Sequence, residues 1–171
     1  MREIKHPNQS FSTMTELVLP NDTNMLNNLM GGKLMHWMDI VSAIAAIRHS
    51  DSVVVTASVD NISFAEPIKL GNIVELKAKL TRAFNSSMEV HIEVFARDLE
   101  LKKTFRSNSA FFTFVAVDKN NLPIPVPELA PETENEIMMF EGALKRRQLR
   151  LIMAGKMKPS DANELKSLFD I

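Results

Sequence analysis

Lys33-Leu-Met-His-Trp-Met-Asp-Ile-Val-Ser-Ala-Ile-Ala-Ala-Ile-Arg48 is the stretch that decides the fold. Leu34, Met35, Trp37, Met38, Ile40, Val41, Ile44, Ala45 and Ile47 leave almost no polar face. A helix that is apolar nearly all round is expected to be buried nearly all round. It is too short, and too polar at its ends, for a membrane span of about 20 apolar residues. Such a helix must be wrapped by the rest of the chain.

After Arg48 the hydrophobic period changes to two. Val53 to Ile62 is rich in β-branched residues. From Ile73 to Phe84 the apolar set is Val74, Leu76, Ala78 and Leu80, with Glu75, Lys77, Lys79 and Thr81 facing the other way. From Met88 to Arg97 the set is Met88, Val90, Ile92, Val94 and Ala96. This alternation predicts half-buried strands, and Asn85-Ser86-Ser87 between them predicts a hairpin turn. Lys103 to Val117 predicts a further strand, rich in Phe and ended by Asp118-Lys-Asn-Asn. Upstream, Phe11 to Leu19 predicts a first strand closed at Pro20, followed by the polar turn Asn21-Asp22-Thr23-Asn24. The expected order is strand, buried helix, four antiparallel strands: a sheet curled round a helix. The sheet's edges and outer face then call for association with a second copy.

Leu122-Pro-Ile-Pro-Val-Pro predicts an extended linker, because alternating prolines resist helix and ladder alike. Beyond it, Glu132 to Lys156 predicts a helix carrying Lys145, Arg146, Arg147 and Arg150. Pro159 to Ile171 predicts a last short helix capped by Ser160. The division expected is a body over residues 1–122 and a linker with a helical extension over 123–171.

The 171 residues contain no cysteine, which excludes disulfides, thiolate catalysis and cysteine-ligated zinc. A net charge of −1 gives no global attraction to nucleic acid or anionic membrane. The N-terminal segment lacks the apolar core of a secretory signal, so a cytoplasmic location is expected. No two of His6, His36, His49 and His91 have metal-ligand spacing, and there is no phosphate-binding glycine loop and no nucleophile elbow.

Asp39 is the anomaly, a carboxylate amid Trp37, Met38, Ile40 and Val41. Burying an unpaired carboxylate costs on the order of 20 kcal/mol in the idealised case and still several after relaxation. Asp39 must therefore reach water, a polar partner or a subunit interface. Two readings are open: a structural carboxylate bonded to a backbone amide or to His36, or a general base in an apolar cleft. Gly31-Gly32 directly precedes the helix. Amides there are unpaired and sit at the positive end of the helix dipole, where an oxyanion is stabilised; an ordinary glycine turn is the alternative. Asn24 in the upstream turn can orient water or donate to a carbonyl, and is also what a turn alone would select. The cluster Lys145, Arg146, Arg147 and Arg150 reads as a solvated face or as a grip on a phosphate-bearing ligand.

The ordered motif Pro20-Asn-Asp-Thr-Asn24, Leu29-Met-Gly-Gly-Lys-Leu-Met-His-Trp-Met-Asp39, Arg48-His49, Val55-Thr-Ala-Ser-Val-Asp60, Ile62-Ser-Phe64 and Pro67-Ile68 resembles the acyl-CoA hydrolase family of hotdog thioesterases. That family includes the bacterial YciA-like and the brain-type enzymes. Gly71-Asn72 and Ser86-Ser87-Met88-Glu89-Val90 continue the resemblance, which spans roughly residues 12 to 118. It implies an α+β hotdog fold, an antiparallel sheet around a long central helix, here with a C-terminal helical extension. It also implies hydrolysis of fatty acyl-CoA to free acid and CoA, with no metal or organic cofactor. The assembly implied is a homo-oligomer, a dimer or a trimer of dimers.

Carried over by position, Asn24 and Asp39 form the catalytic pair, supplied from different subunits, and Gly31 and Gly32 hold the thioester carbonyl. Ser86, Ser87, Arg147 and Arg150 are the candidates for CoA binding. Both a water-mediated and a covalent acyl-aspartate route stay open. Many relatives have glycine where this chain has Asn27 or Asn28. The rival readings are a non-catalytic acyl-CoA-binding hotdog module and a hotdog dehydratase, the latter needing a cleft histidine that only His36 or His49 could provide.

Overall fold

The structure, a computed structural model, describes residues 2–60, 62 and 66–167. Ser63 and Phe64 of the motif, and the end of the expected last helix over 168–171, lie outside the described residues. The elements are β1 (Ile4–Lys5), α1 (Pro7–Ser10), β2 (Ser12–Leu17), α2 (Gly31–Ser50), β3 (Val53–Val59), β4 (Ile73–Ala83), β5 (Ser87–Asp98), β6 (Lys103–Val117), β7 (Glu128–Leu129), α3 (Glu134–Met153) and α4 (Asn163–Lys166). Two 3-10 turns, Pro20–Asp22 and Pro159–Asp161, complete the chain.

Strands β2 to β6 make an antiparallel five-stranded sheet in the order β2-β4-β5-β6-β3. The alternating positions behave as their period demands. Val74, Leu76, Ala78, Leu80, Met88, Val90, Ile92, Val94 and Ala96 are all buried against α2, none more than 2% exposed. Removing each larger side chain of that set from water contributes about 1.5–3 kcal/mol. Register shifts after Leu80, after Val94 and after Thr56 bend the sheet round the helix. The hotdog architecture expected from the sequence is the one observed.

Helix α2 begins and ends two residues beyond the predicted span. Asp51 stops it with φ 49°, a left-handed conformation that aspartate tolerates, and its N–H donates to Ile47 O at 2.8 Å. Lys5 pairs with Asp51 and also donates to Arg48 O at 3.4 Å, placing a cation at the negative end of the helix. The expectation of burial all round is corrected here. Leu34, Trp37, Met38, Val41, Ala45 and Ala46 are buried, but Met35, Ile40, Ile44 and Ile47 are exposed, the last at 45%. Beside this stripe runs the edge strand β3, whose Val53 is 68% exposed, with Val55 and Val59 also open. The sheet is one-sided and five strands wide, so a single chain cannot surround the helix.

The segments beyond the core fold back on it. The proline-rich linker is extended as predicted, and it continues into β7, which pairs in parallel with β1. β1 is absent from the sequence reading because its pairing is made with β7, more than 100 positions away, and α1 because it is a single turn packed on α2 and β4. Helix α3 lies across the outer face of the sheet. Thr133 caps it, its side chain accepting from Glu136 N at 3.3 Å. Burial alone would raise the carboxyl of Glu136, yet Lys79 and the amides of Glu132 and Thr133 outweigh that and hold it down to about 2. Ser160 does not cap the last helix. It sits in the 3-10 turn and donates to Asp161 Oδ1, while Ala162 occupies the N-cap of α4.

His49 is fully buried at the end of α2, with Nε2 3.0 Å from Pro127 O. That carbonyl can only accept, so Nε2 carries the proton and Nδ1 is bare. Among the described residues Nδ1 has no partner. Burial pushes the imidazole below its ordinary value, so the unfolded chain takes up the proton first as pH falls. Stability is therefore full above about pH 6.5 and declines as pH drops through the depressed value. His91, also lowered by burial, adds with the same sign. Urea unfolding at pH 7 and pH 5 is expected to show this loss, with a smaller pH difference in His49→Gln.

Candidate active site

The start of α2 lacks the usual helix-start chemistry. Its N-cap is Met30, which has no capping side chain, and its first turn is Gly31-Gly32-Lys33-Leu34, without an acid. Lys33 and Leu34 donate to Met30 O at 3.0 Å each, so the amides of Gly31 and Gly32 stand ahead of the helical ladder at the positive end of the dipole. Gly31 shares a cavity with Asn24 of the preceding turn. The cavity, of about 340 Å³, is lined by Asn24, Asn28, Leu29, Gly31, Ile68 and Asn108 among others.

Asn24 is exposed in this turn, and its orientation is determined. Its Oδ1 accepts from Leu26 N at 2.9 Å and Asn28 N at 3.2 Å. The side-chain oxygen thus builds the turn, and the amide nitrogen is the end left to meet a ligand. The end of Asn24 that stays open is a donor. Asn27 has φ 57°. Glycine adopts that conformation freely and asparagine tolerates it, so Asn27 is where glycine would serve equally well and the loop keeps its shape.

Asp39 lies one face away. Its Oδ1 accepts from Thr56 Oγ1 at 2.8 Å, across from α2 to β3. Among the described residues Asp39 forms no bond to His36. The second oxygen, Oδ2, makes no hydrogen bond among the described residues. Thr56 was part of the quoted motif but was not singled out, because a threonine in a β-branched strand carries no local signal of function.

The single chain does not join Asn24 to Asp39. Gly31 to Asp39 spans eight residues of helix, roughly 12 Å at 1.5 Å per residue, and Asp39 is not among the residues lining the cavity beside Asn24.

The CoA candidates separate into two groups. Ser86 and Ser87 form the β4–β5 turn, where Phe84 N donates to Ser87 O at 2.8 Å. Arg147 lays its guanidinium over the Phe84 ring at 4.6 Å, which brings it to the serine turn. Arg150 instead points inward, pairing with Asp60 at 2.7 Å and Glu89 at 3.5 Å. Arg146 binds the fully buried Glu89 through two nitrogens and stacks on Phe111. The basic cluster is thus half framework, since Glu89 requires cations to be buried at all. Among the described residues no cluster of three His, Asp or Glu could hold a metal ion, and no helix is long and apolar enough to cross a membrane.

A sequence profile of the Thioesterase superfamily matches residues 26–103. The protein of Bacillus subtilis (strain 168) named uncharacterized acyl-CoA thioester hydrolase YkhA is 40% identical over 148 residues, covering 86% of each chain. A hexameric acyl-CoA thioesterase crystallised in its apo form superposes with a TM-score of 0.85 at 36% identity, covering 89% of this chain and 97% of that one. The acyl-CoA hydrolase of Staphylococcus aureus, solved with butyryl-CoA, CoA and CoA disulfide, superposes with a TM-score of 0.81 at 34% identity, covering 90% and 95%. Alanine variants of that enzyme at an aspartate, an asparagine and a threonine have also been solved. By this degree of identity along most of its length, and by the curled sheet around α2, the chain belongs to the acyl-CoA thioester hydrolases of the thioesterase superfamily.

Proposed function

We propose that this protein hydrolyses fatty acyl-CoA to the free acid and CoA, at sites shared between two subunits of a cytoplasmic homo-oligomer. The observation that carries the reading is Asp39, a carboxylate held by Thr56 on the mostly apolar exposed face of α2 that it shares with His36. Thr56 engages one oxygen and leaves the other for a water molecule. In the proposed reaction Asp39 accepts the proton of that water as the oxygen attacks the thioester carbonyl. The developing oxyanion is met by the amides of Gly31 and Gly32 and by the side-chain amide of Asn24. Collapse of the tetrahedral intermediate breaks the carbon–sulfur bond, the CoA thiolate leaves, and the proton held by Asp39 returns to it. No group beyond the protein and water is needed.

The roughly 12 Å between the start of α2 and Asp39 within one chain supports a site built from Asn24 and the glycines of one subunit with Asp39 of the other. So does the apolar strip on which Asp39 lies. The spacing along the S. aureus chain of its replaced asparagine, aspartate and threonine equals that of Asn24, Asp39 and Thr56 here, which supports the three acting together. Residues 1–122 carry this chemistry, with 123–171 as an extension whose helix α3 lies across the sheet's outer face. Ser86, Ser87 and Arg147 hold the phosphate end of CoA, while Arg150 ties Asp60, just past β3, to Glu89 of β5. The assembly is a dimer, or three such dimers.

Thiol release from CoA esters of graded chain length tests the activity. Turnover that depends on chain length is expected. Protein that binds CoA yet releases no thiol from any ester would instead be the non-catalytic acyl-CoA-binding module.

A further inference from the structure

Asp22 and Lys33 form a charged pair at the start of α2; Asp22 caps its own 3-10 turn, but local rules do not explain Lys33. Helix electrostatics favour an acid in the first turn and disfavour a cation, yet the first turn of α2 carries Lys33 and no acid. Asp22, two residues before Asn24, is 7% exposed. Its Oδ1 lies 3.1 Å from Lys33 Nζ, and its Oδ2 accepts from Leu19 N at 3.1 Å. Its backbone carbonyl accepts from Met30 N, the N-cap of α2, at 2.9 Å. Lys33 Nζ also lies 5.5 Å from the centroid of the buried Trp37 ring, so its stem is anchored to the core. The Asp22 carboxyl is held below its ordinary value, first by the Lys33 hydrogen bond and next by the Leu19 amide, so the pair is charged at neutral pH.

Two bonds from one residue, to Lys33 Nζ and from Met30 N, therefore tie the 3-10 turn preceding Asn24 to the N-terminus of α2, while the Leu19 bond closes the turn itself. The turn itself has no other strong anchor to the helix. Thr23 and Leu29 are joined by an isolated bridge, and Asn24 N donates to Asn28 O, but both contacts lie within the loop. The loop is also held to the segment before β4, Leu29 N donating to Ile68 O at 2.7 Å and Leu70 N to Asn27 O at 2.9 Å, so what Asp22 adds is the side-chain link to the first turn of α2.

We propose that Asp22 and Lys33 are a positioning pair that sets the Asn24 turn against the Gly31-Gly32 amides, so that the two donor sets converge on one carbonyl oxygen. The inference rests on the hydrolase reading given above. Neither side chain touches the substrate; both act through Asn24. Displacement of a donor by about 1 Å at a reacting centre costs up to about 10²-fold in rate.

The test measures kcat, KM and melting temperature for Asp22→Asn, Lys33→Met, their combination, and Lys33→Arg, all on the assembled protein. Asp22→Asn and Lys33→Met are each expected to lower kcat by about tenfold, with KM within twofold. The combination should be no worse than the worse single variant, because one interaction is lost in all three. Lys33→Arg keeps the charge pair and should recover most of kcat. A folded, assembled Asp22→Asn with kcat within twofold of wild type overturns the inference, even if its melting temperature drops, since that is what a merely structural pair would do. Additive losses in the combination, or Lys33→Arg behaving as Lys33→Met, overturn it as well. Wild-type protein that hydrolyses no acyl-CoA overturns the hydrolase reading and this inference with it, whereas an active wild type with indifferent pair variants overturns the inference alone.

Discussion

Asp39→Asn is expected to leave the protein folded and assembled with kcat lowered by about 10²- to 10⁴-fold. The substitution keeps the size of the side chain and keeps an oxygen to accept from Thr56 Oγ1, so the bond from α2 to β3 survives. What it removes is the ability to take a proton from water. Because Asp39 is half-buried on an open strip of helix, nothing in the fold depends on its charge. Turnover and melting temperature measured on one preparation separate the two roles. A structural aspartate would show a lower melting temperature with near-normal turnover. A folded Asp39→Asn at wild-type rate would remove Asp39 from the mechanism. Thr56→Ala makes a milder companion: the carboxylate remains but loses its orienting donor, so kcat should fall by less than in Asp39→Asn.

Ile44→Glu is expected to abolish assembly and activity together. Ile44 lies at the centre of the exposed strip on α2, between Ile40 and Ile47 and beside the open edge of β3. In a lone chain that strip faces water and tolerates a carboxylate. Covered by a second copy, it would bury an unpaired charge at several kcal/mol per subunit, and each 1.4 kcal/mol is tenfold in affinity. Association should weaken by at least about 10³-fold. Light scattering should then report a folded species near 19.3 kDa, while the wild type gives a multiple of that mass. Thiol release should be lost in the same variant, because Asp39 and Thr56 would no longer meet the Asn24 turn of another subunit. If Ile44→Glu remained assembled, the contact between copies would lie on another face. If it were monomeric and fully active, the site would be complete within one chain.

These two expectations draw on different layers of the molecule. Asp39 was conspicuous in the sequence because a charge among Trp37, Met38, Ile40 and Val41 breaks a pattern. Thr56, which holds it, broke none. The alternation from Ile73 to Arg97 and the Phe-rich run to Val117 named the core strands nearly to the residue, because side-chain period is a local property that burial on one face enforces. The quoted motif did the same for the glycine start of α2.

Long-range geometry decided the rest. The same apolar helix pattern serves a helix buried all round by its own chain and one left open on a side, and only the tertiary structure shows that Met35, Ile40, Ile44 and Ile47 are exposed. Arg147 and Arg150 are indistinguishable in a basic helix, yet one reaches the Ser86-Ser87 turn over Phe84 while the other closes on Asp60 and Glu89. The pairing of β1 with β7 and of Asp22 with Lys33 follows the same logic. The sequence by itself determined which segments are helix or strand and which residue is out of place among them. The tertiary structure alone decided which donor meets which acceptor, because those contacts are set by how distant segments pack, and nothing in the local order of side chains records that.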